Sequence, residues 1–248
     1  HFQAQVDCRT NQITGAEALL RWQHPEYGLL APDQFVQILE ESGMILEVGS
    51  RILDDACKIG GLLLSQGLVS KDRFLMGVNV SPRQFRQSDF VERVEHSLKQ
   101  HHLPATMLKL EITEGIVIQN LDDTILKMRS LRDLGVGFAM DDFGTGYSSL
   151  TYLKRLPVDT LKIDQSFVQD ATSDPNDAEI IRAIVAMAQS LNLHVIAEGV
   201  ETPEQLAFLE RVGCYNYQGY LFSEPLPGPE FETLLQLRRQ LQASASIE

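Results

Sequence analysis

Seven strand-like runs in this chain carry polar or charged residues near their C-terminal ends: Glu17, Asn79, Glu111, the pair Asp141–Asp142, Lys162, Glu198 and Gln218. Five of these side chains are carboxylic acids. Two like charges about 4 Å apart repel by roughly 4 kcal/mol at an effective dielectric of 20. Converging acids must therefore protonate, separate or bind cations. Carboxylates with one Asn carbonyl make an all-oxygen donor set, which suits hard ions such as Mg²⁺ or Mn²⁺. Asp141 and Asp142 would face opposite sides of a regular strand. Both reach one site only if the strand breaks, and Gly144 and Gly146 supply the freedom for that. A carboxylate between two ions can bridge them, and paired ions are a common device for in-line displacement at a phosphodiester. Lys162 has three readings: a cation that positions water or offsets developing charge, a salt bridge within the acidic cluster, or a Schiff-base lysine. The third ranks lowest, because surrounding carboxylates raise a lysine pKa where that chemistry needs it lowered.

The elements that must position these groups alternate along the chain. Strand patterns run over 2–7, 14–22, 74–81, 107–113, 135–142, 159–165, 193–200 and 215–222. Each has β-branched or aromatic content between turn signals. Apolar residues at helical spacing fill the segments between, for example 33–43, 45–67, 90–100, 121–135, 178–192, 203–213 and 230–241. Strands alternating with helices imply a parallel sheet. Eight units in 248 residues predict an α/β fold, a single-domain TIM-type (β/α)8 barrel. Such barrels place their sites at the C-terminal mouth. Shared parity supports one face there for Glu17 with Arg21 and for Lys162 with Asp164. The domain is expected over 1–244, with 245–248 as a tail.

The formal net charge of −13 argues against nucleic-acid polymers and anionic lipid as partners. Bound cations would reverse that field locally for an anionic substrate. No apolar stretch approaches a membrane span, and no signal peptide opens the chain. The first residue is His rather than Met, which reads as a piece of a longer parent, and a membrane anchor in that parent stays open. Cys8, Cys57 and Cys214 suggest neither a disulfide framework nor a zinc site, and suit the cytoplasm.

Glu17-Ala18-Leu19 lies within EALLRW, followed by NVSPRQF (79–85), LEITE (110–114), DDFGTGYSSL (141–150), LPVDTLKID (156–164), AEGVET (197–202) and QGYLFSEPL (218–226). These segments, in this order and over almost the whole chain, resemble the EAL domain family of cyclic di-GMP phosphodiesterases. The resemblance implies a barrel whose first strand is antiparallel, and hydrolysis of cyclic di-GMP to linear pGpG with two Mg²⁺ or Mn²⁺ ions and inhibition by Ca²⁺. It implies Glu17, Asn79, Glu111 and Asp141 as ligands of one ion and Asp141, Asp142 and Glu198 as ligands of the second. Lys162, Glu198 and Asp142 become the catalytic set, Lys162 holding water and Glu198 acting as ligand or general base. Leu20, Arg21 and Gln218 are the expected substrate contacts, with Gln218 also among supporting residues beside Glu201. Glu114 is expected to anchor the DFGTGYSS loop, which couples metal binding to a homodimer in the family. Fusion to upstream sensory or GGDEF domains is the family habit. The family's Gln-Pro in the first strand is Gln3-Ala4 here, a departure at no catalytic position.

Two alternatives stay open: a cyclic di-GMP receptor without turnover, and a carboxylate-pair glycosidase on a similar barrel. Trp22 is expected in the barrel wall, His194 in the barrel core and His24 in a loop; His101 and His102 close a helix.

Overall fold

The computed structural model describes residues 1–113, 115–116, 121–145 and 153–245. Ten strands are found there: β1 (Phe2–Asp7), β2 (Gln12–Ala18), β3 (Trp22–His24), β4 (Gly28–Leu30), β5 (Leu75–Asn79), β6 (Leu108–Thr113), β7 (Gly137–Phe143), β8 (Thr160–Ile163), β9 (His194–Ala197) and β10 (Asn216–Tyr217). Eight close into a barrel in the order β1-β10-β9-β8-β7-β6-β5-β2, and β3–β4 form a separate hairpin. Strand β1 pairs antiparallel with both β2 and β10, while the other barrel pairs are parallel. The helices are α1 (Val36–Ser42), α2 (Ile45–Ser65), α3 (Pro82–Phe85), α4 (Phe90–Gln100), α5 (Leu121–Leu134), α6 (Gln165–Asp170), α7 (Pro175–Ser190), α8 (Pro203–Val212) and α9 (Gly228–Ala245). None of the described helices is long and apolar enough to cross a membrane.

Alternation along the strands divides the molecule into a dry shell and a wet bore. Leu108, Leu110 and Ile112 of β6 are fully buried and join Met76, Phe138 and Leu161 in one apolar cluster with residues of the helices. In α2 the buried residues Ile45, Gly49, Leu53, Ala56, Cys57, Gly60 and Leu63 recur every three or four positions, the stripe of a helix laid on a sheet. Lys109 and Glu111, the intervening residues of β6, are buried too, as are Gln3, Gln5, Glu17, Thr160, Lys162 and Gln218. The bore of this barrel is thus filled by polar groups that bond one another. Space for them is made locally: a Cβ on Gly15 would lie 2.9 Å from Gln5 Oε1 and 2.6 Å from the Leu75 carbonyl oxygen.

The lower bore is closed by an ion pair. Lys109 Nζ lies 2.6 Å from Asp159 Oδ1 and donates to Thr160 Oγ1 at 2.6 Å. Asp159 also accepts from Thr160 Oγ1 and the Phe138 N–H. Burial alone would raise the Asp159 carboxyl, but the Lys109 charge and these hydrogen bonds outweigh it and hold it below the usual range. Asp159→Asn is therefore expected to cost about 3 kcal/mol near neutral pH, because it strands a buried ammonium. A group with a depressed folded pKa stabilises above its unfolded value, about 3.9 for Asp, and stops doing so as pH falls through the folded one. Urea unfolding from pH 7 downward should show the gap between the two proteins constant at first and closing only in that acid window. A gap independent of pH would assign the cost to packing.

Candidate active site

At the upper mouth, strand ends carrying site residues lead directly into capped helices. Asn79 ends β5. Two residues on, Ser81 caps α3, its Oγ accepting from the Gln84 N–H at 3.2 Å while Gln84 Oε1 accepts from the Ser81 N–H at 3.2 Å. Lys162 lies in β8, and Asp164 caps α6 by accepting from the Ser166 N–H at 3.0 Å. Glu198 follows β9, and Thr202 caps α8 in a second reciprocal pair with Gln205. Caps of this kind satisfy the open N–H groups of a first turn and fix where the chain leaves the strand.

Asp141 and Asp142 come together through a break in β7. Its register against β8 shifts between Met140 and Phe143. Asp142 has φ 52°, in the left-handed region that Asp tolerates better than most residues. The reversal expected from Gly144 and Gly146 is therefore made first by Asp142 itself. Gly144 continues it at φ +105°, where a Cβ would lie 2.9 Å from Phe167; Gly146 lies outside the described residues.

Lys162 is the hub, its side chain 1% exposed. Its Nζ lies 2.7 Å from Glu198 Oε1, 3.0 Å from Asp141 Oδ1 and 3.3 Å from Glu17 Oε2, and also contacts Glu111 Oε2. One ammonium thus faces four carboxylates. Carboxylate oxygens of Glu17, Glu111 and Asp141 lie within 4.8 Å of one another, as do those of Asp141, Asp142 and Glu198. The two triads share Asp141. Asn79 Nδ2 donates to Glu17 Oε1 at 2.5 Å, which leaves Asn79 Oδ1 as its atom for a cation.

The electrostatics separate these acids. Burial would raise Glu17, but the Lys162 charge and donors on Gln218, Asn79 and Lys162 together hold it below its ordinary value. Glu111 has no such amide donors, and burial with the Glu17 charge pushes it up to about 8. Burial is also the main cause for Asp141, raised, and Glu198, raised well above the usual range. Asp142 rises to about 6 through burial and the nearby Asp141 and Asp164 charges. Lys162 is held charged by the acids around it, against the effect of burial. Excess carboxylate with a shared central member is a donor set that fits divalent hard cations.

A groove of about 580 Å³ opens beside the cluster, lined by Leu20, Asn79, Asp141 and Asp142 with apolar Val36 and Ile45. That volume suits a small ligand. Arg21 lies in an adjoining pocket shared with Leu20, its Nη1 donating to the Leu20 carbonyl at 2.8 Å. Gln218, expected against substrate, is instead 4% exposed; its amide is spent on Glu17, Gln3 and Gln5. Glu201 is exposed on the loop after Gly199, its N–H donating to Gln205 at 2.8 Å, and its carboxylate does not join the Lys162 cluster. Glu114 lies outside the described residues. Trp22 is 44% exposed rather than in the barrel wall, because β2 ends at Ala18 and Trp22 starts the hairpin, edge-on to Phe35. His194 is exposed at the start of β9, not core, and His24 is a strand residue accepting at Nδ1 from the Glu26 and Tyr27 N–H groups. Three residues that touch the cluster's members from outside it escape strand-end reasoning: Gln3 and Gln5, bonded to Gln218, and Asp164 beside Asp142. The parity of Asp164 with Lys162 was the available signal for the last.

Comparison with known proteins identifies the family. The EAL domain profile matches residues 1–225. The chain is 45% identical over 239 residues to the cyclic di-GMP phosphodiesterase NbdA of Pseudomonas aeruginosa, covering 96% of this chain and 30% of NbdA. It is 42% identical to the bifunctional diguanylate cyclase/cyclic di-GMP phosphodiesterase MucR of the same organism, covering 93% of this chain and 33% of MucR. The chain thus spans about a third of these relatives. The solved PaMucR phosphodiesterase in complex with c-di-GMP superposes with a TM-score of 0.88, covering 93% of this chain and 92% of that one. Klebsiella pneumoniae BlrP1, solved as manganese and calcium complexes with the cyclic dinucleotide, gives TM-scores of 0.77 and 0.76 at 27% and 28% identity, over 92% of this chain and 55% of that one.

Proposed function

The chain belongs to the EAL domain family, and we propose that it hydrolyses cyclic di-GMP to linear pGpG at the upper mouth of the barrel. The observation that carries this reading is the pair of carboxylate triads sharing Asp141, set on the edge of a groove that Asn79, Asp141 and Asp142 line. Glu17, Asn79, Glu111 and Asp141 would hold one Mg²⁺ or Mn²⁺, and Asp141, Asp142 and Glu198 a second. When bound, the ions supply an acidified water and neutralise charge on the phosphoryl oxygens. Lys162 Nζ holds the attacking water on line. Glu198 takes its proton if it is not fully engaged as a ligand. The water oxygen bonds to phosphorus as the bond to the ribose 3′ oxygen breaks, and that oxygen takes up a proton, in balance with the one the water gave up, to leave as a hydroxyl. Leu20 and Arg21 flank the dinucleotide, Arg21 as a cation for its phosphate.

The resemblance also supports a homodimer through Glu114 and its loop. The short share of NbdA and MucR supports a parent with further domains, GGDEF among them. The free thiols of Cys8, Cys57 and Cys214 suit a cytoplasmic setting.

Nucleotide chromatography after incubation with cyclic di-GMP should show pGpG with Mg²⁺ or Mn²⁺, no product with EDTA, and inhibition by Ca²⁺, whose looser coordination serves this displacement badly. Binding without product would identify a receptor instead. Turnover surviving EDTA would favour metal-free acid-base chemistry.

A further inference from the structure

Four buried polar side chains form a network branching from Gln218 at the junction where the barrel closes. Gln218 Nε2 donates to Glu17 Oε2 at 2.7 Å and to Gln3 Oε1 at 2.9 Å. Gln5 Nε2 donates to Gln218 Oε1 at 3.1 Å. Gln3 Nε2 donates to the Ser223 carbonyl at 3.1 Å. Gln3, Gln5, Glu17 and Gln218 are 6%, 5%, 3% and 4% exposed, too little for water to substitute freely.

The direction of every amide follows from one charge. Glu17 has only acceptors, so Gln218 must turn its NH₂ toward it. The Gln218 oxygen then faces the other way and needs a donor, which Gln5 provides. The second Gln218 proton needs an acceptor, which is Gln3 Oε1, and that leaves the Gln3 NH₂ for the Ser223 carbonyl. No amide here can flip without setting donor against donor or acceptor against acceptor in a buried site, where the groups left unsatisfied are costly.

Resting on the phosphodiesterase reading, we propose that Gln3 and Gln5 are positioning residues, which through Gln218 hold the Glu17 carboxylate in place for the metal. Gln218 is one of two amides on Glu17. Asn79 is the other, but its remaining oxygen is the one offered to the cation, so the amide anchored in the protein's own frame is Gln218, which shares Glu17 Oε2 with Lys162. Strand β1 makes this possible. It is antiparallel and in register with β2, so Gln3 pairs with Glu17 and Gln5 with Gly15, and both side chains enter the bore beside the upper mouth. Partners that orient metal ligands are worth roughly 10–100-fold in metal affinity.

The test is Mn²⁺ binding to the substrate-free chain by calorimetry, with Gln3→Leu and Gln5→Leu. Both are expected to bind Mn²⁺ roughly tenfold or more weakly. In assays their metal requirement should rise while kcat at saturating Mn²⁺ and KM for cyclic di-GMP stay close to those of the parent. Mn²⁺ affinity within twofold of the parent in both folded variants overturns the proposal. Should either variant fail to fold, the unaltered chain decides: on adding Mg²⁺, the side-chain NH₂ resonances of Gln3 and Gln5 should shift together with that of Gln218, and a shift confined to Gln218 overturns it. If the unaltered chain binds neither ion, the phosphodiesterase reading fails instead. The relay is then judged in the metal-free chain, where Gln3→Leu, or Gln5→Leu, should still displace the Gln218 NH₂ resonance, and no displacement refutes it.

Discussion

Asp141→Asn is expected to abolish detectable hydrolysis and to remove both metal sites at once. Asp141 is the one side chain common to the two carboxylate triads, and the substitution replaces that shared anion by a neutral amide of the same shape. Ions at a phosphodiester supply several kcal/mol of transition-state stabilisation, and each 1.36 kcal/mol is tenfold in rate. Loss of both should lower kcat/KM by on the order of 10⁴ or more. Calorimetry should find no tight Mn²⁺ binding. Glu17→Ala touches one triad only and should lose affinity and rate together, but less completely. Two Mn²⁺ ions still bound by Asp141→Asn would show that the triads do not share this residue functionally.

Lys162→Met is expected to separate rate from metal affinity. Removing one preorganised charge or donor at a phosphoryl site costs roughly 10²–10³ in kcat. Metal affinity should hold or rise, because an ammonium that competes with cations for four carboxylates has gone. The same change has a structural cost in the metal-free chain. Breaking a buried ion pair typically costs about 3–5 kcal/mol, so the metal-free variant should melt well below the parent. Saturating Mn²⁺ should restore most of the difference, since a ligand that binds only the folded state stabilises it. Equal loss of Mn²⁺ affinity in Lys162→Met and Glu17→Ala would refute separate roles for these residues.

The acidic mouth was legible because parallel strands put their C-terminal ends on one rim, so a polar residue closing each strand pattern marks that rim. Glu17, Asn79, Glu111, Lys162 and Glu198 all follow that rule in the structure. The rule misses Gln3 because β1 runs the other way and presents its beginning to the mouth. Pairing direction is a tertiary choice, and the six residues FQAQVD carry no mark of it; only the resemblance implied it. Asp142 was legible as a problem, two adjacent acids for one site, while its solution in a left-handed backbone depends on the bulge against β8. Trp22 was misplaced because its strand pattern ran four residues past the end of β2 at Ala18. His194 was misplaced because it opens β9 and so meets solvent at the foot of the barrel.

The closure of the bore has a kinetic side. The bonds that seat Glu17 join residues 201, 213 and 215 positions apart, whereas the neighbouring parallel strands of the ring are linked locally through their helices. Long-range contacts are paid in loop-closure entropy before they give anything back, and they form late. A chain that has assembled its βα units but not yet brought β10 against β1 has its acids without a seat for Glu17. Competence to hold cations should therefore be the last native property to appear on refolding, and the first to go when the ring opens.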